Sequence, residues 1–247
     1  MLAQGDLFMN ALIVAAGTAT RLRPLTENLP KPLIDFWGQT LLGRSVSLLK
    51  RAGITSVTVV VGYLQESIRS HLGDEVTYIH NPFFANTNNL ASCWFGLSSM
   101  PVEPVLYLHG DLVYHPNLLG RMLDQIPNEG MKLLVDFDSV DEEAMKVRIE
   151  HGKFTESSKL IPLSEAAGEW TGIATLSGPG MDRLRKVMGE VLSEGTYSTY
   201  DTEAFNRLAA QGFSFELTPT EGLPWCEIDT VTDLEKARNL FRPEEAK

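Results

Sequence analysis

Short apolar runs and amphipathic stretches take turns along the first half of the chain, and few folds accept that order. Residues 11–16 read as a buried strand ending at Gly17, 40–52 as an amphipathic helix closed by Gly53, and 57–61 as a β-branched strand bounded by Gly62. A helix over 64–72, a strand over 76–79, a helix over 90–97, a strand over 105–108 and a helix over 118–125 follow. Strands alternating with helices in this way predict a parallel sheet covered on both faces. After Met131 the order changes. Strands at 132–136, 147–150 and 153–156 come without intervening helices, and the last two bracket His151-Gly152, a two-residue hairpin turn. An apolar strand over 170–176 precedes helices near 180–193 and 201–211, a strand over 213–217 and a final helix over 230–241. With no internal repeat, low-complexity tract or clear linker, the expectation is one mixed α/β domain over 10–242 with a smaller lobe in its second half.

Composition narrows the classes of function. A chain of 247 residues, 43% of them apolar, can bury a sizeable core. Its longest apolar runs fall far short of the ~20 residues a membrane helix needs, so no membrane span is expected. Residues 1–10 carry no basic patch followed by a long apolar stretch, which argues against a secretory signal and for the cytoplasm. The two cysteines, Cys93 and Cys226, have neither metal-site nor redox-motif spacing, as a reducing compartment would favour. Against 21 basic side chains there are 32 acidic ones, a net charge of −11. That charge repels a phosphate backbone at long range and argues against nucleic acid as a partner.

The exception to this acidity is local. Between Thr18 and Leu33 stand Arg21, Arg23 and Lys31 against Glu27 alone, a balance of +2. A glycine-ended strand running into a loop rich in backbone N–H groups can wrap a chain of phosphates, with Arg and Lys adding charge-assisted bonds. The loop has no Gly-Lys-Ser/Thr of the Walker type and no three-glycine dinucleotide fingerprint, so it is a different phosphate loop. Arg23 either touches the ligand or orients the loop. Asp111 follows the apolar strand 105–108, where a doubly wound sheet presents ligand groups and a carboxylate can hold Mg²⁺. Its structural alternative is a cap for the helix near 117, a role Asn117 fills better. Asp229 has a rival role too, since Asp229-Thr-x-x-Asp233 just ahead of a helix can be capping chemistry.

The string Gly17-x-Ala19-Thr20-Arg21-Leu22-x-Pro24, then five residues, then Pro30-Lys31, resembles the signature of nucleotidyltransferases that build NDP-sugars and CDP-alcohols. That family has glycine where this chain has Ala19. Val59-Val60-Val61-Gly62-Tyr63 looks like the second strand and turn of its cytidylyltransferase branch, and Asn88-Asn89-Leu90-Ala91-Ser92 like its pyrimidine-side segment. His109-Gly110-Asp111 and Glu227-Ile228-Asp229 resemble its two metal-binding positions, and Met145-Lys146-Val147 with Ser158-Lys159 extends the likeness. The resemblance is to bacterial CTP:phosphocholine and 2-aminoethylphosphonate cytidylyltransferases, with inositol-1-phosphate cytidylyltransferases sharing the pattern. It implies a Rossmann-like, mostly parallel sheet of the nucleotidyltransferase or GT-A-like kind, with 10–130 as the nucleotide-binding half and 131–242 as the acceptor-binding half.

The same resemblance assigns roles. Lys31 and Arg21 are the catalytic cations. Ala15, Ala16, Gly17, Thr18, Ala19, Thr20 and Arg21, together with Gly62, Tyr63, Asn88, Asn89, Ser92 and Asp111, are the expected nucleotide contacts. Gly62 and Tyr63 have a plain reading as a strand-ending turn, and Asn88, Asn89 and Ser92 one as helix caps. Asp111 and Asp229 are the expected Mg²⁺ ligands. His109 reads as a packed neighbour of Asp111 rather than a base. For the acceptor, Lys146 and Lys159 are the implied phosphate ligands. Asp136, Trp170, Asp201 and Glu227 could face a cationic headgroup, as could Glu169, Tyr200 and Trp225; ordinary packing is the alternative for each.

The implied reaction is in-line attack of an acceptor phosphate or phosphonate oxygen on the α-phosphorus of CTP, with pyrophosphate leaving. A phosphate's second pKa is about 6, so the attacking oxygen is already ionised near neutral pH and no general base is needed. The leading expectation is a Mg²⁺-dependent cytidylyltransferase for a small amino-alcohol phosphate or phosphonate. The alternatives are a sugar- or inositol-phosphate nucleotidylyltransferase and a non-catalytic nucleotide-binding regulator. A homodimer is the default assembly, because most soluble oligomers are two-fold.

Overall fold

Four parallel strands carry the first half, as the alternation predicts. β1 (Asn10–Ala15) lies between β4 (Ser56–Val61) and β6 (Val105–His109), and β5 (Thr77–His80) extends the outer edge of β4. The computed structural model describes residues 9–242, so the reading of the N-terminal segment falls almost wholly outside the described residues. Alternate side chains of β1 feed two separate layers. Ala11, Ile13 and Ala15 pack with α1 (Leu41–Arg51), α2 (Gln65–Leu72) and α4 (Pro116–Leu123); Leu12 and Val14, with Ala16 just past the strand, pack with α3 (Asn89–Ser98), α5 (Gly178–Ser193) and α6 (Thr202–Ala210). A Leu or Ile side chain fully removed from water contributes about 1.5–3 kcal/mol. With Leu12 and Ile13 both wholly buried, β1 is the strand on which both layers condense. No helix of the described residues is long and apolar enough to cross a membrane.

The second half turns the sheet antiparallel. β11 (Gly168–Leu176) runs antiparallel to β6, β8 (Met131–Asp136) pairs with the far edge of β11, and β12 (Phe215–Pro219) joins β8 in parallel. β9 (Lys146–Glu150) and β10 (Lys153–Ser158) form the expected hairpin, with φ +50° at His151 and +75° at Gly152, the left-handed pair a two-residue turn requires. All nine strands belong to one mixed, helix-covered sheet. One edge of β11 is shared: residues 173–176 pair with β6, and residues 168–169 pair with β9. A register shift separates the two segments on the strand's other edge. The sheet therefore splits at residues 170–172.

A small ladder that the sequence does not announce sits beneath the loop of residues 16–33. β7 (Leu112–Tyr114) pairs antiparallel with β13 (Trp225–Glu227), a three-residue strand from mid-chain with one from near the C-terminal end. The hairpin of β2 (Asp35–Phe36) and β3 (Gln39–Thr40) and the helix α7 (Val231–Leu240) complete this region. A third apolar cluster, with Leu22, Ile34, Val113, Ile228 and Leu234, binds loop, ladder and helix together. The expectation that Asn117 caps the helix near 117 is corrected: His115 is the cap, its Nδ1 accepting the Asn117 backbone N–H at 3.2 Å, and Pro116 opens the helix.

The loop is also braced from behind. Gly62 leads into Tyr63, whose N–H donates to the Ala16 carbonyl at 3.1 Å and whose hydroxyl donates to the Glu27 carbonyl at 2.7 Å. A Cβ at Gly62 would lie 2.6 Å from both the Ala16 oxygen and Phe84 Cβ. Gly62→Val is expected to destabilise the protein by about 1–3 kcal/mol through overpacking. Calorimetry of the variant would show an unchanged unfolding midpoint if the loop did not lean on this position.

Candidate active site

The carboxyl ends of β1 and β6 lie side by side where the order of strands reverses, since the chain goes from β1 outward to β4 and β5 and then returns to β6 on the other flank. Such reversals leave a crevice at the ends of the strands. A cavity of about 320 Å³ opens there, continued by the split in β11. Residues 15–21 form one wall. Within it Ala19 is held left-handed, at φ +48° and ψ +47°, and opens a single 3-10 turn over Thr20–Leu22. Such a conformation costs a residue with a Cβ roughly 1–2 kcal/mol, which accounts for the glycine in the resembling family. The buried Thr26 hydroxyl donates to the Ala19 carbonyl at 2.8 Å and holds the turn.

Four charged groups from distant parts of the chain meet at the floor. Lys31 Nζ is 2.7 Å from Asp111 Oδ2 and 2.8 Å from Asp229 Oδ1, and Arg21 Nη2 is 2.7 Å from Asp229 Oδ2. The Lys31 side chain is only 9% exposed. Burial alone would lower its pKa, but the Asp111 and Asp229 carboxylates more than offset that and hold the ammonium charged well above the ordinary lysine value. For Asp229 the balance also favours the charged form, since burial pushes its pKa up and Lys31 brings it below the ordinary aspartate value. Local structure frees Asp229 for this pairing: Thr230 and Asp233 form the capping box of α7 between themselves.

Glu227 and His109 complete the floor. Their ligand atoms and that of Asp111 lie within 4.8 Å of one another. Burial, then the charges of Asp111 and Asp229, push the Glu227 carboxyl upward. Asp111 Oδ1 is buried with no hydrogen-bond partner. A buried, unpartnered carboxylate oxygen beside two more carboxylates is a donor set suited to a hard divalent cation.

The expected residues divide into two groups. All of 15–21, Lys31, Asn88, Asn89, Ser92, Asp111, Lys159, Trp170, Glu227 and Asp229 line the one cavity, and Tyr200 does as well. Asn88 also caps α3, accepting the Asn89 N–H at 2.8 Å, and Ser92 Oγ accepts from Asn81 Nδ2 at 2.9 Å. The others stand elsewhere. Gly62 and Tyr63 brace the loop from outside the lining. Lys146 is fully buried, its ammonium donating to the Glu142 and Lys159 carbonyls at 2.7 and 2.8 Å, so it ties two loops together instead of facing an acceptor. Asp136 accepts from Trp225 Nε1 at 2.8 Å, and neither residue reaches the cavity. Asp201 is wholly buried behind His109. Arg23 and Glu169 also lie outside the lining.

His109, expected as a packed neighbour of Asp111, is packed and also lines the cavity. The structure places its ring in the cavity wall, with Nε2 at 3.0 Å from Asp201 Oδ2. Burial would lower the imidazole pKa; Asp201 reverses that and raises it to about 9. Met145, Thr171 and Gly172 also line the cavity. For Thr171 and Gly172 the signal is the break in β11 pairing, which exists only in the folded sheet.

Residues 11–153 match the family model of the MobA-like NTP transferase domain. The chain belongs to that family. As a nucleotidyltransferase it is similar to the CMP-5'-(3-aminopropyl)phosphonate synthase of Streptomyces rubellomurinus, at 26% identity over 95% of this chain and 39% of that protein. It thus spans well under half of that relative. It is similar also to the 2-aminoethylphosphonate cytidylyltransferase of Lancefieldella rimae, at 24% identity over 91% of this chain and 90% of that one. Among solved structures, the CTP:phosphocholine cytidylyltransferase of Streptococcus pneumoniae shares the fold, with a TM-score of 0.77 at 23% identity over 94% of this chain and 98% of that one.

One carboxyl behind the site gives a pH-dependent stability. Burial, then Asp141, Glu227 and Asp136, raise the Glu169 pKa from 4.5 to about 7. The folded state therefore binds a proton there that the unfolded chain has already released between those two values. The resulting stabilisation is full below pH 4.5 and is lost as the pH rises through 7. Glu169→Gln keeps the neutral form, so its thermal midpoint is expected to exceed that of the parent at pH 8.5 and to match it near pH 4.5. Equal midpoints at both pH values would remove the effect.

Proposed function

We propose that this nucleotidyltransferase transfers CMP from CTP to a small phosphate- or phosphonate-bearing acceptor of the phosphocholine or 2-aminoethylphosphonate type and releases pyrophosphate. The observation that carries the reading is the Lys31 ammonium, within 2.8 Å of both Asp111 and Asp229 beneath the loop of residues 15–21. The names of the relatives support cytidylyl transfer and a phosphonate or phosphocholine acceptor.

The work of such a site is to bring together two anions that repel each other and to stabilise charge at the α-phosphate and the leaving pyrophosphate. The loop supplies backbone N–H groups and Arg21 for the β,γ-phosphates. Lys31 stabilises charge at the α-phosphorus. Asn88, Asn89 and Ser92 face the base, and Lys159 faces the acceptor's phosphoryl or phosphonyl group. Trp170, Tyr200 and Glu227 bound the space for its headgroup. Asp111 and Asp229, with Glu227 beside them, would hold Mg²⁺, which when bound neutralises charge on the reacting phosphoryl oxygens. The attacking oxygen is already an anion at neutral pH, so the site needs no side chain to take its proton.

The test is pyrophosphate release by the purified protein with Mg²⁺, CTP and a panel of acceptors. Turnover is expected with phosphocholine or 2-aminoethylphosphonate, and activity with glucose-1-phosphate alone would overturn the acceptor assignment. Lys31→Met is expected to lower kcat by ~10²-fold or more, the usual loss when one preorganised electrostatic contact is removed. A Lys31→Met protein that retained its kcat would sink the role given to this ammonium.

A further inference from the structure

We infer that Asp201 is a positioning residue, which, from behind the cavity wall, fixes the His109 ring against the acceptor side of the site. The inference rests on the proposed acceptor side and adds a residue that does not touch substrate.

The fold builds a place for His109 in four ways. Gly172, at φ +83° in the split of β11, leaves room where a Cβ would lie 2.9 Å from His109 Nδ1. Trp170 meets the imidazole edge-on at a centroid distance of 4.9 Å, and Tyr107 does so at 5.6 Å. The fourth support is Asp201, whose Oδ2 accepts from His109 Nε2 at 3.0 Å and from the Tyr107 hydroxyl at 2.6 Å. Nε2 also lies 3.3 Å from Asn89 Nδ2, and Nδ1 is the nitrogen turned towards Gly172 in the cavity lining.

Asp201 also binds three elements into one unit. Its Oδ1 accepts the Thr202 N–H at 2.9 Å and caps α6, while its own N–H donates to Asn89 Oδ1 at 2.9 Å. It therefore joins the base-side helix α3, the end of β6 and the start of α6, next to the cavity-lining Tyr200. The choice of aspartate follows from the count of acceptors. One oxygen takes the helix cap and the other takes two donors, and only a carboxylate accepts at both positions. An asparagine keeps one oxygen and must turn an NH₂ towards either the cap or the Tyr107–His109 pair.

Asp201→Asn is accordingly expected to keep the cap and release His109. The acceptor KM should rise about tenfold, less than the ~10²-fold that a 1 Å misplacement can cost, while the CTP KM stays within about twofold. His109→Gln should show the same split, and the double variant should be no worse than His109→Gln alone, since two residues acting through one ring are not additive. Tyr107→Phe, which removes only one donor from Asp201, is expected to raise the acceptor KM by a smaller factor and serves if Asp201→Asn does not fold. An unchanged acceptor KM, or penalties that multiply in the double variant, would overturn the inference. Imidazole ¹⁵N spectra of the protein without substrate give a reading independent of turnover. A slowly exchanging Nε2 proton on His109, lost in Asp201→Asn, is the expected result, and its absence from the parent protein overturns the inference even if the acceptor panel succeeds. Failure of every acceptor to react removes the proposed function instead and leaves the spectral result to decide the contact.

Discussion

The arrangement depends on one ammonium buried between two carboxylates. A lysine nine-tenths out of water is tolerable only if its charge is matched at close range, because an unpaired buried ion costs several kcal/mol. Lys31 meets Asp111 at 2.7 Å and Asp229 at 2.8 Å, residues that reach it from the end of β6 and the start of α7. Neither aspartate arrives by local folding. The β7–β13 ladder and the Ile228 N–H, which donates to the Asp111 carbonyl at 3.0 Å, set the two side by side. The third apolar cluster then fixes the ladder beneath the loop. The ion pair and this cluster support each other: the cluster excludes water from the pair, and the pair fastens the loop that covers the cluster.

The strand–helix alternation of the first half was legible because each element there buries one face or two, and burial leaves a period in the sequence. The same logic exposed the His151-Gly152 turn, where two consecutive left-handed residues demand particular side chains. The β7–β13 ladder was not legible. Three-residue strands hold too few positions for a period to show, and what stabilises this pair is a partner more than a hundred residues away. Asp136 and Asp201 stand out in the sequence by their charge, and Lys146 by its place in the resembling Met145-Lys146-Val147 segment. Each instead satisfies an indole N–H, two carbonyls, or a tyrosine–histidine pair inside the protein. A buried charge and a ligand-binding charge look alike in a sequence, since both are polar residues beside apolar strands. Only the partners distinguish them.

His109 shows the converse. Its neighbours in sequence suggest packing, and it is packed, yet its ring stands in the cavity wall because β11 lets go of the sheet at the right level. A continuous pairing of β11 with β6 would close the sheet over that position. The strand meets β6 at residues 173–176 and β9 at 168–169, and Gly172 takes a left-handed φ in between. Bulges and breaks of this kind gather beside active sites because they redirect a side chain at little cost to the rest of the sheet. Here the break does two things at once. It admits the imidazole, and it leaves Trp170, Thr171 and Gly172 as lining for the cavity. The site thus arises from two interruptions of an otherwise regular sheet, the reversal of strand order between β1 and β6 and the divided edge of β11, each supplying one side of the space in which two substrates would meet.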